Sequence, residues 1–308
     1  MILTVTLNAA LDVTYHVPRL RPRASHRVSG VCERPGGKGV NVARVLAALG
    51  HEVVATGFLG GPVGETVRQG LAGSAVADGF VPCAGTTRRT LAVVDEADGD
   101  TTQFNEAGPV ISPAEWAAFQ VRYADLVHEA RAVALCGSLP PGLPVGAYAA
   151  LVRTARAAGT PVLLDTSGEA LRRGVAARPD LIKPNAAELA ELTGSREPLP
   201  ATRDARRRGA HAVVTSLGPA GLLAVTGQGT WGAAPPAPLS GNPTGAGDSA
   251  VAGLLSALAE DLDWPARLTR ATALSAATVR APTAGEFDRA VYEELLATVK
   301  VTAGQPVG

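Results

Sequence analysis

Short apolar runs alternate with helix-length segments along most of the chain. Six runs each predict a buried strand: ILTVTL (2–7), VVATGFLG (53–60), AVALCG (132–137), PVLLD (161–165), DLIKPN (180–185) and HAVVTSLG (211–218). Between them lie segments of helical period, of which VNVARVLAALG is predicted to end at Gly50. This alternation is typical of an α/β fold, a doubly wound and mostly parallel sheet with helices on both faces.

Helix-start signals support this reading. Ser112 as N-cap, Pro113 at the first helical position and Glu115 at the third form a capping-box signature, which predicts that a helix begins there. The last fifth of the chain predicts three more helices, at 247–260, 265–280 and 288–299. Because no repeat, low-complexity tract or linker interrupts the pattern, we expect one domain over residues 1–308.

Two polar, alternating segments, at about 12–34 and 88–105, do not fit a sheet that is buried on both faces. The second contains Asp98-Gly99 between alternating apolar residues, which is a hairpin signal. Together they predict a small antiparallel β flap, or lid, beside the main sheet. Its apolar face is expected to cover either the substrate or the lid of a partner.

Composition narrows the class of protein. The 308 residues carry 28 Lys and Arg against 28 Asp and Glu, so no net field attracts nucleic acid or a membrane surface. The start of the chain lacks a signal-peptide pattern and no apolar run reaches about 18 residues, so we expect a cytoplasmic protein. Three cysteines without metal-type spacing are expected to be reduced.

Lysine is scarce, because only Lys38, Lys183 and Lys300 occur among the 28 basic residues. Two of them lie in the unusual stretches GGKG and IKPN, which suggests a need for a compact point charge, although chance could also place two there. In KPNAAE, Lys183, Asn185 and Glu188 put a cation, an amide and a carboxylate within one helical turn, after a predicted strand. The stretch DTSG follows another strand, and there ordinary turn chemistry is the preferred interpretation.

The stretch GAGDSA, at 245–250, has two interpretations. It matches G-x-G-x-x-A, but it follows no hydrophobic strand and Asp248 would repel a pyrophosphate, which argues against a dinucleotide site. The preferred hypothesis is that the amides of Gly245, Ala246 and Gly247 form a hole for negative charge at the positive end of a helix. Asp248 would then accept the proton of an attacking hydroxyl, as in a kinase. Taken alone, Asp248 would be interpreted as an ordinary acid at a helix start, where it complements the helix dipole.

A second glycine-rich helix start, RPGGKGVNVARVL, surrounds Lys38. It is not a Walker A loop, because Cys32 stands in place of the first glycine and Gly39 follows the lysine where Ser or Thr is needed. Three glycines and a lysine at a helix start can still hold a phosphate or a sugar hydroxyl. A tight turn with a solvated lysine is the alternative.

These stretches, in this order, resemble the signatures of one family. GGKGVNVARVLAALGHEVVATGFLG is similar to the N-terminal signature of PfkB (ribokinase-like) carbohydrate kinases, and NPTGAGDSAVAGLL to their C-terminal signature. TLNAALD, CGSLPPG, KPNAAEL and SLGPAG complete the resemblance in the expected order. Within the family, the chain is most similar to the ketose-phosphate kinases that include 1-phosphofructokinase and tagatose-6-phosphate kinase. The resemblance implies a ribokinase-like fold, with ATP and Mg²⁺ as cofactors.

The resemblance also implies roles for matching positions. It assigns the ketose-phosphate substrate to Asp12, Arg27, Gly37, Lys38, Asn41 and Arg88, with Asp12 and Asn41 on hydroxyls and the cations on the phosphate. It assigns ATP to Lys183, Asn185, Glu188, Ser216, Gly218, Gly221, Thr244 and Gly247, with Glu188 acting indirectly on Mg²⁺. Catalysis is assigned to the anion hole of Gly245, Ala246 and Gly247, and to Asp248 as the base.

The implied reaction is ATP-dependent phosphorylation of fructose 1-phosphate to fructose 1,6-bisphosphate. Tagatose-6-phosphate or fructose-6-phosphate kinase remains an alternative, as does a non-catalytic sugar-phosphate sensor. The chain departs from the family pattern at Ala9 in place of proline and at Thr90 in place of asparagine. Gln103 replaces an arginine of the minor 6-phosphofructokinases, which argues against a substrate restricted to 6-phosphates. A homodimer through the lid is also implied, with no nucleic-acid or membrane partner.

Overall fold

A computed structural model describes residues 1–237 and 239–304. In chain order its strands are β1 (Ile2–Thr6), β2 (Ala10–Val17), β3 (Gly30–Gly36), β4 (Val53–Leu59), β5 (Val76–Asp78), β6 (Val81–Pro82), β7 (Arg88–Asp95), β8 (Thr101–Asn105), β9 (Val133–Cys136), β10 (Val162–Asp165), β11 (Leu181–Ile182), β12 (Ala212–Ser216), β13 (Leu222–Val225), β14 (Thr230–Ala234) and β15 (Lys300–Ala303). Its α-helices are α1 (Lys38–Ala48), α2 (Gly61–Ala72), α3 (Pro113–Glu129), α4 (Ala147–Ala157), α5 (Gly168–Ala176), α6 (Ala186–Thr193), α7 (Pro198–Arg207), α8 (Ala246–Ala259), α9 (Trp264–Thr278) and α10 (Arg289–Thr298).

The main sheet confirms the predicted α/β class. Its strand order is β15-β14-β13-β12-β11-β10-β9-β1-β4-β5, with β6 paired to β4. Every neighbour pair from β5 to β12 is parallel, whereas β12 through β15 are joined antiparallel. The sequence pattern did not predict β13, β14 or β15. The last of these is a largely exposed edge strand, which needs no buried apolar run to form.

Both faces of the main sheet are buried, which explains why its strands read as continuous apolar runs. In β10, Leu163 packs into one hydrophobic cluster while Val162 and Leu164 pack into the other. Helices α1, α2, α8, α9 and α10 cover the first face, and α3 to α7 cover the second. Among the described residues, no helix is both long and apolar enough to cross a membrane.

The two polar segments form a separate four-stranded sheet, as predicted, in the order β3-β2-β7-β8. The pairs β2–β3 and β7–β8 are antiparallel, but the central pair β2–β7 is parallel. The sheet is therefore not purely antiparallel. The parallel pair arises because β2 and β7 come from distant parts of the chain and no hairpin joins them.

Local signals predicted from the sequence are found where expected. Ser112 caps α3, and Ser112 and Glu115 form both hydrogen bonds of a capping box. Gly99 lies between β7 and β8 with a φ of 75°, as a tight hairpin requires. Helix α1 ends at Ala48, two residues before the predicted Gly50, which has a φ of 91°.

Helices α8 and α9 pack closely at Gly253, where a Cβ atom would lie 2.6 Å from the Cα of Ala271. We expect Gly253→Ala to lower the free energy of unfolding by about 1–3 kcal/mol, because the added methyl meets backbone that cannot move aside cheaply. The loss should exceed the gain in helix propensity. Equilibrium unfolding in urea measures the change.

Gly73→Ala is the matched control. Gly73 ends α2 with a φ of −80°, and a Cβ there would meet no atom within 4 Å. Its unfolding free energy should stay within about 0.5 kcal/mol of the parent protein. Equal stability of the two variants would show that α8 and α9 do not meet as closely as described.

Candidate active site

The predicted site residues converge where the carboxyl ends of the central strands meet the starts of α1 and α8. Asp165 ends β10 and Lys183 directly follows β11. These strands are parallel neighbours in which Leu164 pairs with Ile182, so the next residues along each strand are also adjacent. Open parallel sheets bind ligands at this edge.

Helix α8 begins at a residue with a left-handed backbone conformation, which favours glycine. Gly245 is the N-cap with a φ of 85°, and a Cβ there would come within 2.8 Å of Ala284. The amide of Ala246 donates to the carbonyl of Pro243 at 3.1 Å. In the described ranges, the amides of Gly245 and Gly247 donate to no acceptor of the chain. Two free donors at the positive end of a helix are suited to an anion.

Asp248 lies in the first turn of α8 and is buried, with 8% of its surface exposed. Its Oδ2 accepts a hydrogen bond of 2.9 Å from the Nδ2 of Asn41 in α1. Burial raises the pKa of Asp248 to about 6, although this hydrogen bond and the nearby Lys38 and Lys183 act in the opposite direction. The carboxylate is thus held by a neighbour and can still gain or lose a proton near neutral pH.

Two lysines flank a second buried carboxylate, that of Asp165. Its Oδ2 lies 3.3 Å from the Nζ of Lys38, and its Oδ1 lies 3.4 Å from the Nζ of Lys183. Neither oxygen makes a well-directed hydrogen bond, so both are held by charge alone. Burial would lower the pKa of Lys38, but the carboxylates of Asp165 and Glu188 outweigh it and hold that pKa above its usual value.

Glu188 has both a structural and an electrostatic role. It forms a capping box with Asn185 at the start of α6, with both hydrogen bonds at 2.9 Å. Its other oxygen, Oε1, lies 3.8 Å from the Nζ of Lys38. Lys38 therefore contacts Glu188, which was predicted to arrange ATP and Mg²⁺, although the resemblance assigned Lys38 to the sugar phosphate.

Asp12 faces the cleft from β2. A Cβ at Gly36 would fall within 2.3 Å of the Asp12 carboxylate, so only glycine lets the two strands approach at this point. Burial raises the pKa of Asp12 to about 6, while Arg88, Thr90 and Arg44 lower it. Arg88 donates its Nε–H to the carbonyl of Asn8 at 3.1 Å, which fixes its guanidinium in the same cleft.

The remaining predicted residues are placed less uniformly. Gly37 caps α1, and Thr244 donates its amide to Asn242 just before the anion hole. The set expected along the nucleotide follows the end of β12: Ser216, Gly218 and Gly221. Ser216 pairs with Asn185 in an isolated bridge, so this set adjoins the KPNAAE turn. Arg27 lies on the exposed loop between β2 and β3 and lines neither cavity of the cleft.

The cleft contains two cavities, which we call the Lys38 cavity and the Arg34 cavity. The Lys38 cavity has a volume of about 700 Å³ and also contains Asn8, Arg88, Ser138, Thr166 and Glu188. The Arg34 cavity has a volume of about 640 Å³ and also contains Asp12, Asn41, Arg44, Gln103 and Thr244. The predicted phosphate-binding cations Lys38 and Arg88 thus share the first cavity.

Sequence reasoning overlooked three groups in this region. Asp165 was assigned to ordinary turn chemistry. Its position directly after the apolar run PVLL is the feature of the sequence that could have identified it. Asn8 is 5% exposed, and its Nδ2 donates to Ala107 and to Ser138, while its Oδ1 has no partner. The pair Arg34 and Glu286 carried no local signal at all.

A model of the pfkB family of carbohydrate kinases matches residues 4–289. The 1-phosphofructokinase of Rhodobacter capsulatus is 40% identical over 283 residues, which are 89% of this chain and 90% of that protein. The crystal structure of Escherichia coli phosphofructokinase-2 in complex with fructose-6-phosphate matches with a TM-score of 0.87 and 30% identity, over 96% of this chain and 98% of that one.

A Thermotoga maritima structure described as a possible 1-phosphofructokinase matches with a TM-score of 0.89 and 25% identity, over 99% of this chain and 100% of that one. The family match spans most of the chain and includes both glycine-rich helix starts. The chain therefore belongs to the pfkB family of carbohydrate kinases.

Proposed function

We propose that this sugar-phosphate kinase transfers the γ-phosphoryl group of ATP to the 6-hydroxyl of fructose 1-phosphate, giving fructose 1,6-bisphosphate and ADP. One observation carries the proposal: a buried carboxylate, Asp248, follows two free amides at a helix start and lies near the charges of Lys38 and Lys183. Phosphoryl transfer needs a proton acceptor and preorganised positive charge at the same point.

The chain's own groups divide the work. Asp248 accepts the proton of the acceptor hydroxyl, and the hydrogen bond from Asn41 keeps its carboxylate in place. The amides of Gly245 and Gly247 stabilise the negative charge that develops on the transferred phosphoryl group. The Nζ of Lys183 lies 3.7 Å from where a Cβ of Gly247 would be, so its charge adds to that of the amides.

The residues also fit a magnesium ion carried by ATP. Mg²⁺ prefers carboxylate oxygens, and it commonly takes one or two of them together with phosphates and water. Asp165 offers two buried oxygens without hydrogen-bond partners, and Glu188 offers a third carboxylate oxygen nearby. When bound, the ion neutralises phosphate charge.

The choice of ketose rests on two observations. The relative with 40% identity is named 1-phosphofructokinase. Gln103, which lines the Arg34 cavity, is uncharged where the minor 6-phosphofructokinases carry an arginine, and this argues against a substrate restricted to 6-phosphates. Fructose 6-phosphate is a competing candidate, because it is bound in the structure of a similar protein. Tagatose 6-phosphate is a second candidate.

We further propose that the four-stranded sheet is a lid and that two copies pair through its outer face. The face toward the cleft is polar, whereas the opposite face carries Tyr15, Val31, Leu91 and Phe104, of which Tyr15 and Leu91 pack partly against the core and Val31 and Phe104 do not. Val31 is 61% exposed and Phe104 is 57% exposed. A second copy would cover the exposed Val31 and Phe104.

A coupled assay across three sugars tests the proposed substrate. ATP consumption should be fastest, judged by kcat/KM, with fructose 1-phosphate and at least tenfold slower with fructose 6-phosphate or tagatose 6-phosphate. Faster turnover of either 6-phosphate would replace the proposed substrate with that sugar. Binding of all three without ATP consumption would identify a sensor.

Asp248→Asn should lower kcat by about 10²–10⁴-fold, because the amide cannot accept the proton. Its unfolding temperature should match or exceed that of the parent protein. Because the pKa of Asp248 is raised to about 6, its ionised form lowers the free energy of unfolding above that pH. Asparagine carries no charge and therefore does not have this destabilising effect. Asp204→Asn is the control and should leave kcat unchanged, because Asp204 on α7 pairs with Arg207 and Arg208 and lines neither cavity. Near-normal kcat in Asp248→Asn would refute the proposed base.

The pH profile of kcat/KM should fall as the pH drops through about 6. Both Asp248 and Asp12 have a pKa raised to about 6, and both are needed in ionised form, so acidification protonates them over the same interval. The fall should therefore be steeper than that of one ionisation, and Asp12→Asn should reduce it to one. A flat profile down to about pH 5 would contradict the assignment.

A further inference from the structure

A short segment, 282–286, lies against both parts of the catalytic centre. The Cα and Cβ of Ala284 pack on Gly245, since a Cβ added to that glycine would lie 2.8 Å from each. A Cβ added to Gly285 would lie 3.2 Å from the Oδ1 of Asn41, the residue whose amide holds Asp248. The position of this segment therefore sets the position of the anion hole and of the base together.

The same segment is joined to the proposed lid. Arg34, on β3, donates from Nη1 to the Oγ1 of Thr283 at 2.6 Å and forms an ion pair with Glu286. Arg44, on α1, donates from Nη2 to the Oε1 of Glu286 at 3.1 Å. One carboxylate thus connects a lid strand with the helix that carries Asn41. Arg34 also pairs across the lid with Asp12.

We expect this cluster to add little to the free energy of folding, because its three side chains are 20–35% exposed. Partly exposed ion pairs contribute little to the free energy of folding. Two arginines on one carboxylate also repel each other, and accordingly Arg34 acts to lower the pKa of Arg44. What the cluster does provide is a fixed distance between three separate elements.

We propose that Glu286 is a positioning residue for phosphoryl transfer. When the lid lies over the cleft, Arg34 engages Glu286 and holds the 282–286 segment against Gly245 and Asn41. The anion hole and Asp248 then take their working geometry. When the lid is open, Arg34 no longer supports the segment. Transfer of the phosphoryl group to water is then slow until the lid closes over a sugar. This inference rests on the proposed kinase function.

A double-mutant cycle tests the proposal. Glu286→Gln and Arg34→Gln should each lower kcat about tenfold, with the KM for ATP within about twofold of the parent value. The double variant should lose clearly less than the product of the two single losses, because both changes break the Arg34–Glu286 contact, although Arg34 also meets Thr283 and Glu286 also meets Arg44. Additive losses, or losses confined to KM, would overturn the proposal.

Glu169→Gln is the matched control, because Glu169 on α5 also pairs with two arginines, Arg172 and Arg173, away from the cleft. It should leave kcat unchanged, and all variants should unfold within a few degrees of the parent protein. A fall in unfolding temperature that accounts for the lost activity of Glu286→Gln would give the cluster a purely structural role and refute the proposal.

Hydrogen exchange separates failure of this inference from failure of the proposed function. In Glu286→Gln, amide protection should fall together in residues 30–36 of the lid and in residues 243–249 at the start of α8, whichever sugar the enzyme uses. Loss of protection in only one of the two regions would overturn the coupling. Absence of ketose-phosphate turnover in the parent protein would instead refute the proposed reaction and leave the exchange result valid.

Discussion

Two carboxylates, Asp165 and Asp248, are buried at one edge of the sheet, and the rest of the site depends on how their charge is balanced. An unpaired buried charge costs several kcal/mol, by order of magnitude. Here two lysines lie within 3.4 Å of Asp165, and a helix start with an amide from Asn41 supports Asp248. The balance is incomplete, because Asp248 still has a raised pKa. Incomplete compensation is what a proton acceptor requires.

The parallel sheet makes this arrangement possible. Its neighbouring strands all end at the same edge, so one residue past each end, from separate strands, reaches the same small volume. Packing of α8 against α9 at Gly253 and of α1 against the same face of the sheet then fixes the two glycine-rich helix starts beside those ends. A rigid core thereby holds polar groups that would otherwise repel one another.

The four-stranded sheet shows how strand alternation separates two tasks. Residues such as Asp12, Arg34 and Gln103 face the cleft, whereas Tyr15, Val31 and Phe104 face away. Because successive residues point to opposite faces, one short sheet has a polar face toward the cleft and an apolar face on its other side. The polar face contacts the 282–286 segment through Arg34, and that segment packs on Gly245. The lid and the anion hole are therefore close to each other.

Local features of the chain were readable from the order of residues. The capping box at Ser112, the hairpin at Gly99 and the apolar runs of the central strands depend on residues only a few positions apart. The family signatures likewise predicted that Lys38, Asn41 and Asp248 belong to one site, and the fold brings the three close together. Signals of this kind survive in a linear sequence because the interactions that they describe close within a turn or two.

The partners of those residues were set by folding. Asn41 and Asp248 are 207 positions apart, and Arg34 and Glu286 are 252 apart. No local pattern announces such pairs, so the sequence favoured turn chemistry for Asp165 and gave no sign that Lys38 pairs with Asp165 and Glu188. Which charges meet depends on how strands order themselves and how helices pack on them, and that order is a property of the whole core.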